Sequence, residues 1–167
     1  MTRILRFAAV ATIASVLPAV DLSGASGAAG AGSPAAFSLV AAQTAANAEM
    51  NYNGAAKGGL MITVPVGASV QLTLSNNGSL PHSMEIIPYT TTLPSAAIPT
   101  PAFPGAVTKN PQVGITKGQT ATVQFTASKA GKYLLICGFP GHALLGMYGI
   151  FEVSPSAATK PTMVVKK

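Results

Sequence analysis

The stretch Cys137-Gly138-Phe139-Pro140-Gly141-His142-Ala143-Leu144-Leu145-Gly146-Met147 holds the chain's one cysteine, one of its two histidines and one of its six methionines, in the spacing C-x4-H-x4-M. The second histidine, His82, lies far upstream in Leu80-Pro81-His82-Ser83. A thiolate, two imidazoles and a weak thioether make up a trigonal copper site with a long axial sulfur bond. Thiolate and thioether suit Cu(I) and imidazole suits Cu(II), so a compromise geometry lets the ion change valence with little rearrangement. Zinc prefers a tetrahedral set without thioether, commonly with several cysteines. These residues therefore predict one-electron chemistry at a single copper ion held by His82, Cys137, His142 and Met147.

Each ligand also has an ordinary structural reading. A lone thiol packs as a small hydrophobe, a methionine fills core, and a buried histidine serves as a hydrogen-bonded structural group. Met84 competes with Met147 for the axial place, because alternation along a strand would put it on the face of His82. Against these readings stands the inventory: every Cys and His in the chain falls into one ligand set.

Positioning such a set requires strands and tight turns. Period-2 alternation or short apolar runs predict strands at 60–64, 69–75, 82–89, 119–128, 132–137 and 148–153. A first strand opens at Phe37 and continues toward Asn53, with the Ala-rich 41–48 readable equally as a helical turn. Cys137 then ends one strand, His142 sits on the connecting loop, Met147 opens the next strand, and His82 comes from another. No long amphipathic helix is evident, and an antiparallel sandwich or barrel follows. The connection from Pro88 to Pro111 carries six prolines. A loop this long is either functional or a solvated excursion, and its start beside the His82 strand would let it shield the metal.

Ten Lys/Arg face only four Asp/Glu, for a net +6 with 8% charged residues. The lysines are scattered singly, which argues against nucleic acid. Few carboxylates means little charge to gain in acid, so the composition fits an acidic extracytoplasmic space or simple drift toward an uncharged polar surface. Arg3 and Arg6 precede an apolar run from Phe7 to Val20, shorter than the about 20 residues of a membrane span. Residues 1–25 are read as a secretory signal peptide or N-terminal anchor, 26–36 as a flexible Gly/Ala/Ser linker, 37–155 as the domain and 156–167 as a polar tail. The protein is thus placed in the periplasm or on the outer face of the cell membrane, with the N-terminus offering membrane association.

These motifs carry a resemblance. Asn51-Tyr52-Asn53-Gly54, Leu60-Met61-Ile62-Thr63-Val64-Pro65, Leu80-Pro81-His82 and Cys137 to His142 with Gly146-Met147 resemble the cupredoxins of the sulfocyanin family, and more distantly rusticyanin. The resemblance covers residues 37–153. It implies an all-β Greek-key β-sandwich, one type 1 copper on His82, Cys137, His142 and Met147, and single-electron carriage in a respiratory chain. One position departs: many cupredoxins have Asn after the first histidine, and this chain has Ser83, whose shorter reach puts the link between the ligand loops in question.

On this reading the protein is an electron carrier and not an enzyme, a monomer that docks transiently with a redox protein such as a cytochrome or terminal oxidase. His142 is the expected electron port, with Phe139, Pro140, Ala143, Leu144 and Leu145 as an apolar patch around it. Copper oxidases and nitrite reductases need further histidines for further coppers. The alternative is a copper carrier or chaperone without electron transfer, which would expose its metal donors.

Overall fold

Alternating burial along the strands fixes two sheets face to face. The computed structural model describes residues 33–166. Its eight strands are β1 Ala35–Ala41, β2 Leu60–Pro65, β3 Ser69–Asn76, β4 Glu85–Pro88, β5 Thr120–Thr126, β6 Gly131–Ile136, β7 Tyr148–Ser154 and β8 Thr162–Val165, with a single 3-10 turn at Ala46–Glu49. One sheet has the order β1-β3-β5 and the other β4-β6-β7-β2-β8. Leu60, Ile62 and Val64 of β2, Val70, Leu72 and Leu74 of β3, and Phe151 and Val153 of β7 point into the shared core. Their polar neighbours stay outside, as the pleat requires.

The all-β sandwich is as expected, but its pairing is not purely antiparallel. β1 runs parallel to β3 and β2 parallel to β7. The chain alternates sheets from β1 to β2 to β3, so β1 and β3, like β2 and β7, are neighbours not joined by a hairpin, and their directions are free to agree. Several boundaries also move. Ala35 and Ala36, read as linker, belong to β1, and the first strand stops at Ala41 in favour of the 3-10 turn. Within the expected tail, Thr162–Val165 form β8 along the edge of β2. The signal or anchor reading of residues 1–25 lies outside the described residues. Among the described residues no helix is long and apolar enough to cross a membrane.

Tyr133-Leu134-Leu135-Ile136 of β6 is buried throughout, without alternation. Both faces of this strand are covered. Leu135 meets the inter-sheet core, while Leu134 and Ile136 join Ile87 and Ala143 in a second cluster on the outer face, capped by Leu93 and Ile98 of the proline-rich connection. That connection also inserts Phe103 between the sheets, where its ring lies 5.6 Å from Phe125, 4.8 Å from Tyr133 and 6.3 Å from Phe151. Residues 88–111 are therefore a packed part of the domain, held by Ala102 N–H to Ile86 O at 2.7 Å and Ile86 N–H to Ala106 O at 2.9 Å.

Glu85, the first residue of β4, belongs to the same joint. It is fully buried, one carboxyl oxygen accepts the Ile98 N–H at 3.2 Å, and the other has no partner among the described residues. Burial pushes its pKa up to about 7, opposed only by that N–H. A carboxyl with a raised folded-state pKa contributes its stability in full below the ordinary value of 4.5 and loses it as pH rises through about 7. Glu85→Gln should accordingly gain on wild type, in thermal melts of the copper-loaded protein, as pH is raised across that window. A constant difference between the two proteins would contradict this.

Candidate metal centre

The Cys137 end of the site is a short loop closed on itself. Cys137 follows directly on β6, and its N–H donates to Met147 O at 3.1 Å, while Met147 N–H donates to His142 O at 2.9 Å. Leu145 N–H to Gly141 O and Gly146 N–H to Ala143 O complete the turn. Gly141 and Gly146 have φ of 83° and 99°, values that side chains with a Cβ resist. The loop is thus closed by hydrogen bonds of its own backbone.

His82 arrives differently from the expectation. It lies outside β4, in the connection after β3, and exchanges two backbone hydrogen bonds with Ile115 at 3.0 and 2.7 Å. Gly114 makes this approach feasible, because a Cβ there would stand 2.8 Å from His82 O and 2.9 Å from His82 N. The face shared by His82, Met84 and Ile86 does not form as a strand face, since residues 82–87 are all buried. Asn76, the last residue of β3, is a buried brace. Its side-chain amide donates to Leu80 O and Ile115 O, both at 2.8 Å, and its carbonyl accepts from Gly78 N–H.

These two supports bring three donors together. One ligand atom each from His82, Cys137 and His142 lies within 4.8 Å of the others. Nδ1 of His82 is 4.0 Å from Cys137 Sγ, and Nδ1 of His142 is 3.5 Å from it. The imidazole rings tilt at 51° with centroids 5.0 Å apart. His82, Cys137 and Met147 are fully buried and His142 is 4% exposed. Met147 is placed by its backbone beside Cys137 and His142, whereas Met84 is bound on both backbone groups to Thr108.

Ser83 does link the ligand loops. Its N–H points at Cys137 Sγ at 3.4 Å, and its Oγ accepts the Gly138 N–H at 2.9 Å. The carbonyl of Ser83 is in turn held by the Tyr52 hydroxyl at 2.5 Å. On its other side Gly138 leaves room for the proline-rich connection, since a Cβ there would stand 2.7 Å from Ala97 Cβ and 3.1 Å from Pro111 Cβ. The proline-rich connection thereby lies against the cysteine loop, tied by Ala97 N–H to Gly138 O and Gly141 N–H to Ser95 O. Of its two readings, shield and solvated excursion, the packing supports the first.

Burial also sets the electrostatics. It lowers the His82 pKa to about 4, with help from His142, lowers that of His142, and raises that of the Cys137 thiol. Two neutral imidazoles converge on one buried sulfur, whose charge, once the proton leaves, a bound metal would meet. A soft monovalent or borderline divalent ion fits this donor set, and copper fits both descriptions.

A two-sheet β-sandwich with a buried His, Cys, His cluster at one end and a methionine closing the cysteine loop is a cupredoxin, and its donor set is typical of a single type 1 copper. The family description "Sulfocyanin (SoxE) domain" matches residues 31–165. The chain belongs to the sulfocyanin family of blue copper proteins. It is 33% identical over 130 residues to sulfocyanin of Sulfolobus acidocaldarius, covering 70% of this chain but 61% of the relative, so it spans less than two thirds of that protein. Auracyanin from Roseiflexus castenholzii superposes with a TM-score of 0.52 at 21% identity, over 74% of this chain and 100% of the other, a likeness of fold. The copper nitrite reductase of Nitrosomonas europaea superposes with a TM-score of 0.53 at 25% identity, over 75% of this chain and 43% of the enzyme.

Proposed function

We propose that this chain carries single electrons outside the cytoplasm, and that His82 and His142 through Nδ1, Cys137 through Sγ and Met147 through its thioether would hold one copper. The observation that carries this reading is the convergence of both Nδ1 atoms on one buried sulfur. When bound, the ion supplies a Cu(I)/Cu(II) couple. The protein supplies a braced, buried cage: Ser83 N–H at the sulfur, Asn76 behind His82, and a self-bonded loop from Cys137 to Met147. Reading the chain as a carrier and not an enzyme rests on its histidine inventory, which has nothing left for a second, catalytic copper. A chaperone that hands copper on needs reachable donors, and these are at most 4% exposed.

The direct test is titration of the metal-free protein with Cu(II). An intense thiolate-to-copper absorption that saturates at one equivalent is expected, and a colourless complex would end the electron-carrier reading. Export by residues 1–25, with the sandwich from β1 to β8 as the carrying unit, is part of the same proposal. So is a monomeric chain that meets a redox protein briefly.

Docking is assigned to the surface over His142. Leu144 and Leu145 are 56% and 59% exposed, Leu80 stands on the adjoining loop at 43%, and the Phe139 ring packs 4.5 Å from the His142 ring. Ala143 is fully buried and falls out of the expected patch, joining the cluster outside β6. Leu144→Asp should slow electron self-exchange between reduced and oxidised copies, measured by NMR line broadening, while the absorption stays unchanged. An unaltered exchange rate would remove this face from the path.

A further inference from the structure

Glu49 occupies a position that copper ligation does not call for. Its Oε2 accepts both the N–H and the hydroxyl of Ser79, at 3.1 and 3.0 Å. It shares a neighbour with the metal cluster in Gly78: a Cβ on that residue would lie 2.5 Å from Ala42 Cβ, 3.1 Å from Glu49 Oε2 and 3.2 Å from His82 Nε2. That Nε2, on the side of the ring away from Cys137, is buried and has no hydrogen-bond partner among the described residues. A carboxylate and an unpartnered imidazole nitrogen therefore flank one glycine whose missing side chain lets them approach.

The backbone that delivers Glu49 is itself unusual. Asn47, Ala48 and Glu49 have φ of 51°, 51° and 68°, three successive left-handed residues without a glycine among them. Such strain persists only where surrounding contacts over-determine it. Here Asn47 donates to Leu145 O at 2.8 Å and Met50 O at 2.9 Å, and Asn51 donates to Thr44 O and Ala46 O, both at 2.8 Å. The turn thus grips the cysteine loop through Asn47 and the His82 connection through Glu49. The other acidic side chains are elsewhere: Glu152 is exposed on β7 opposite Lys132, Glu85 serves Ile98, and Asp21 lies outside the described residues. Ser79, first through its N–H and then its hydroxyl, holds the Glu49 carboxyl below its ordinary range, so the group is anionic.

Resting on the copper reading above, we infer that Glu49 tunes the centre: its carboxylate, fixed beside the far nitrogen of His82, favours the more highly charged oxidised ion and lowers the reduction potential. The effect is Coulombic, works through the imidazole, and weakens with ionic strength. The copper absorption of wild type is recorded first, and its absence would defeat the copper reading and not this one. Potentials are then measured for Glu49→Gln, Glu49→Asp and Glu152→Gln, the last a charge removed from the site. Glu49→Gln should raise the potential by an amount equal to a several-fold change in the Cu(I):Cu(II) ratio, shrinking as salt is added, with absorption and EPR spectra unchanged. Glu49→Asp and Glu152→Gln should stay with wild type. The inference is overturned if Glu49→Gln keeps the wild-type potential, if Glu49→Asp shifts as far as Glu49→Gln, or if Glu49→Gln no longer takes up copper. The last two results would mark Glu49 as a structural tie alone.

Discussion

Cys137→Ala protein given Cu(II) is expected to show no blue absorption at all. The band requires a thiolate bonded to the ion, and the chain has no second cysteine to supply one. What remains is a pair of imidazoles and a thioether in a buried pocket, a set that has lost its charge-neutralising member and binds either valence weakly. The fold itself should survive. Cys137 contributes its backbone N–H to Met147 O, which alanine keeps, and the loop closes through His142, Ala143 and Gly146 backbone groups. Loss of one buried sulfur leaves a small void and removes the acceptor facing Ser83 N–H, at a cost of about 1 kcal/mol in the metal-free protein. Absorption spectroscopy and denaturant melts on the same samples separate the two effects. Retained colour would show that another sulfur bonds the metal, whereas a collapsed fold would show that the thiol is structural.

The second large effect is expected at a residue remote from the ligands. Phe103→Ala should lower unfolding free energy by about 3–5 kcal/mol. Its ring is 1% exposed and touches Phe125, Tyr133 and Phe151, which come from both sheets. Removing it leaves a cavity that three other aromatic residues, held by strand pairing, are poorly able to fill. Phe103 also anchors the connection that presses Ala97 and Pro111 onto Gly138, so the copper absorption should broaden as the loop loosens. Urea unfolding of the metal-free protein and the spectrum of the loaded protein check the two parts. A loss below about 1 kcal/mol would place this residue among ordinary surface-loop positions.

Chemistry was the most legible property of the chain. Cysteine and histidine are so scarce here that their clustering speaks without help from the fold, and the blue copper family to which the chain belongs agrees with that reading. Strand positions were nearly as plain wherever one face is wet, as in β3 and β5, because period 2 reports burial directly. Where both faces are covered, as in β6, the alternation vanishes and only an apolar run remains. The strand expected over 82–89 shrank to Glu85–Pro88 for a related reason: His82 to Met84 are buried by loops, and burial by a loop looks like burial by a sheet.

Periodicity states which side of a strand faces inward, and not which strand lies beside it. The parallel pairs β1 with β3 and β2 with β7, and the edge strand formed by Thr162–Val165, depend on contacts between segments far apart in the chain. The same holds for the braces of the metal site. Asn76, Ser83 and Tyr52 are common residue types at unremarkable spacings, and each acquires its role from a partner that only folding brings near. Sequence by itself therefore determined which atoms are available to hold an ion. Tertiary structure alone decided that His82 enters from a connection pinned by Gly114, that Ser83 links the ligand loops by accepting the Gly138 N–H, and that Glu49 stands behind the imidazole, since distances through space are not written in distances along the chain.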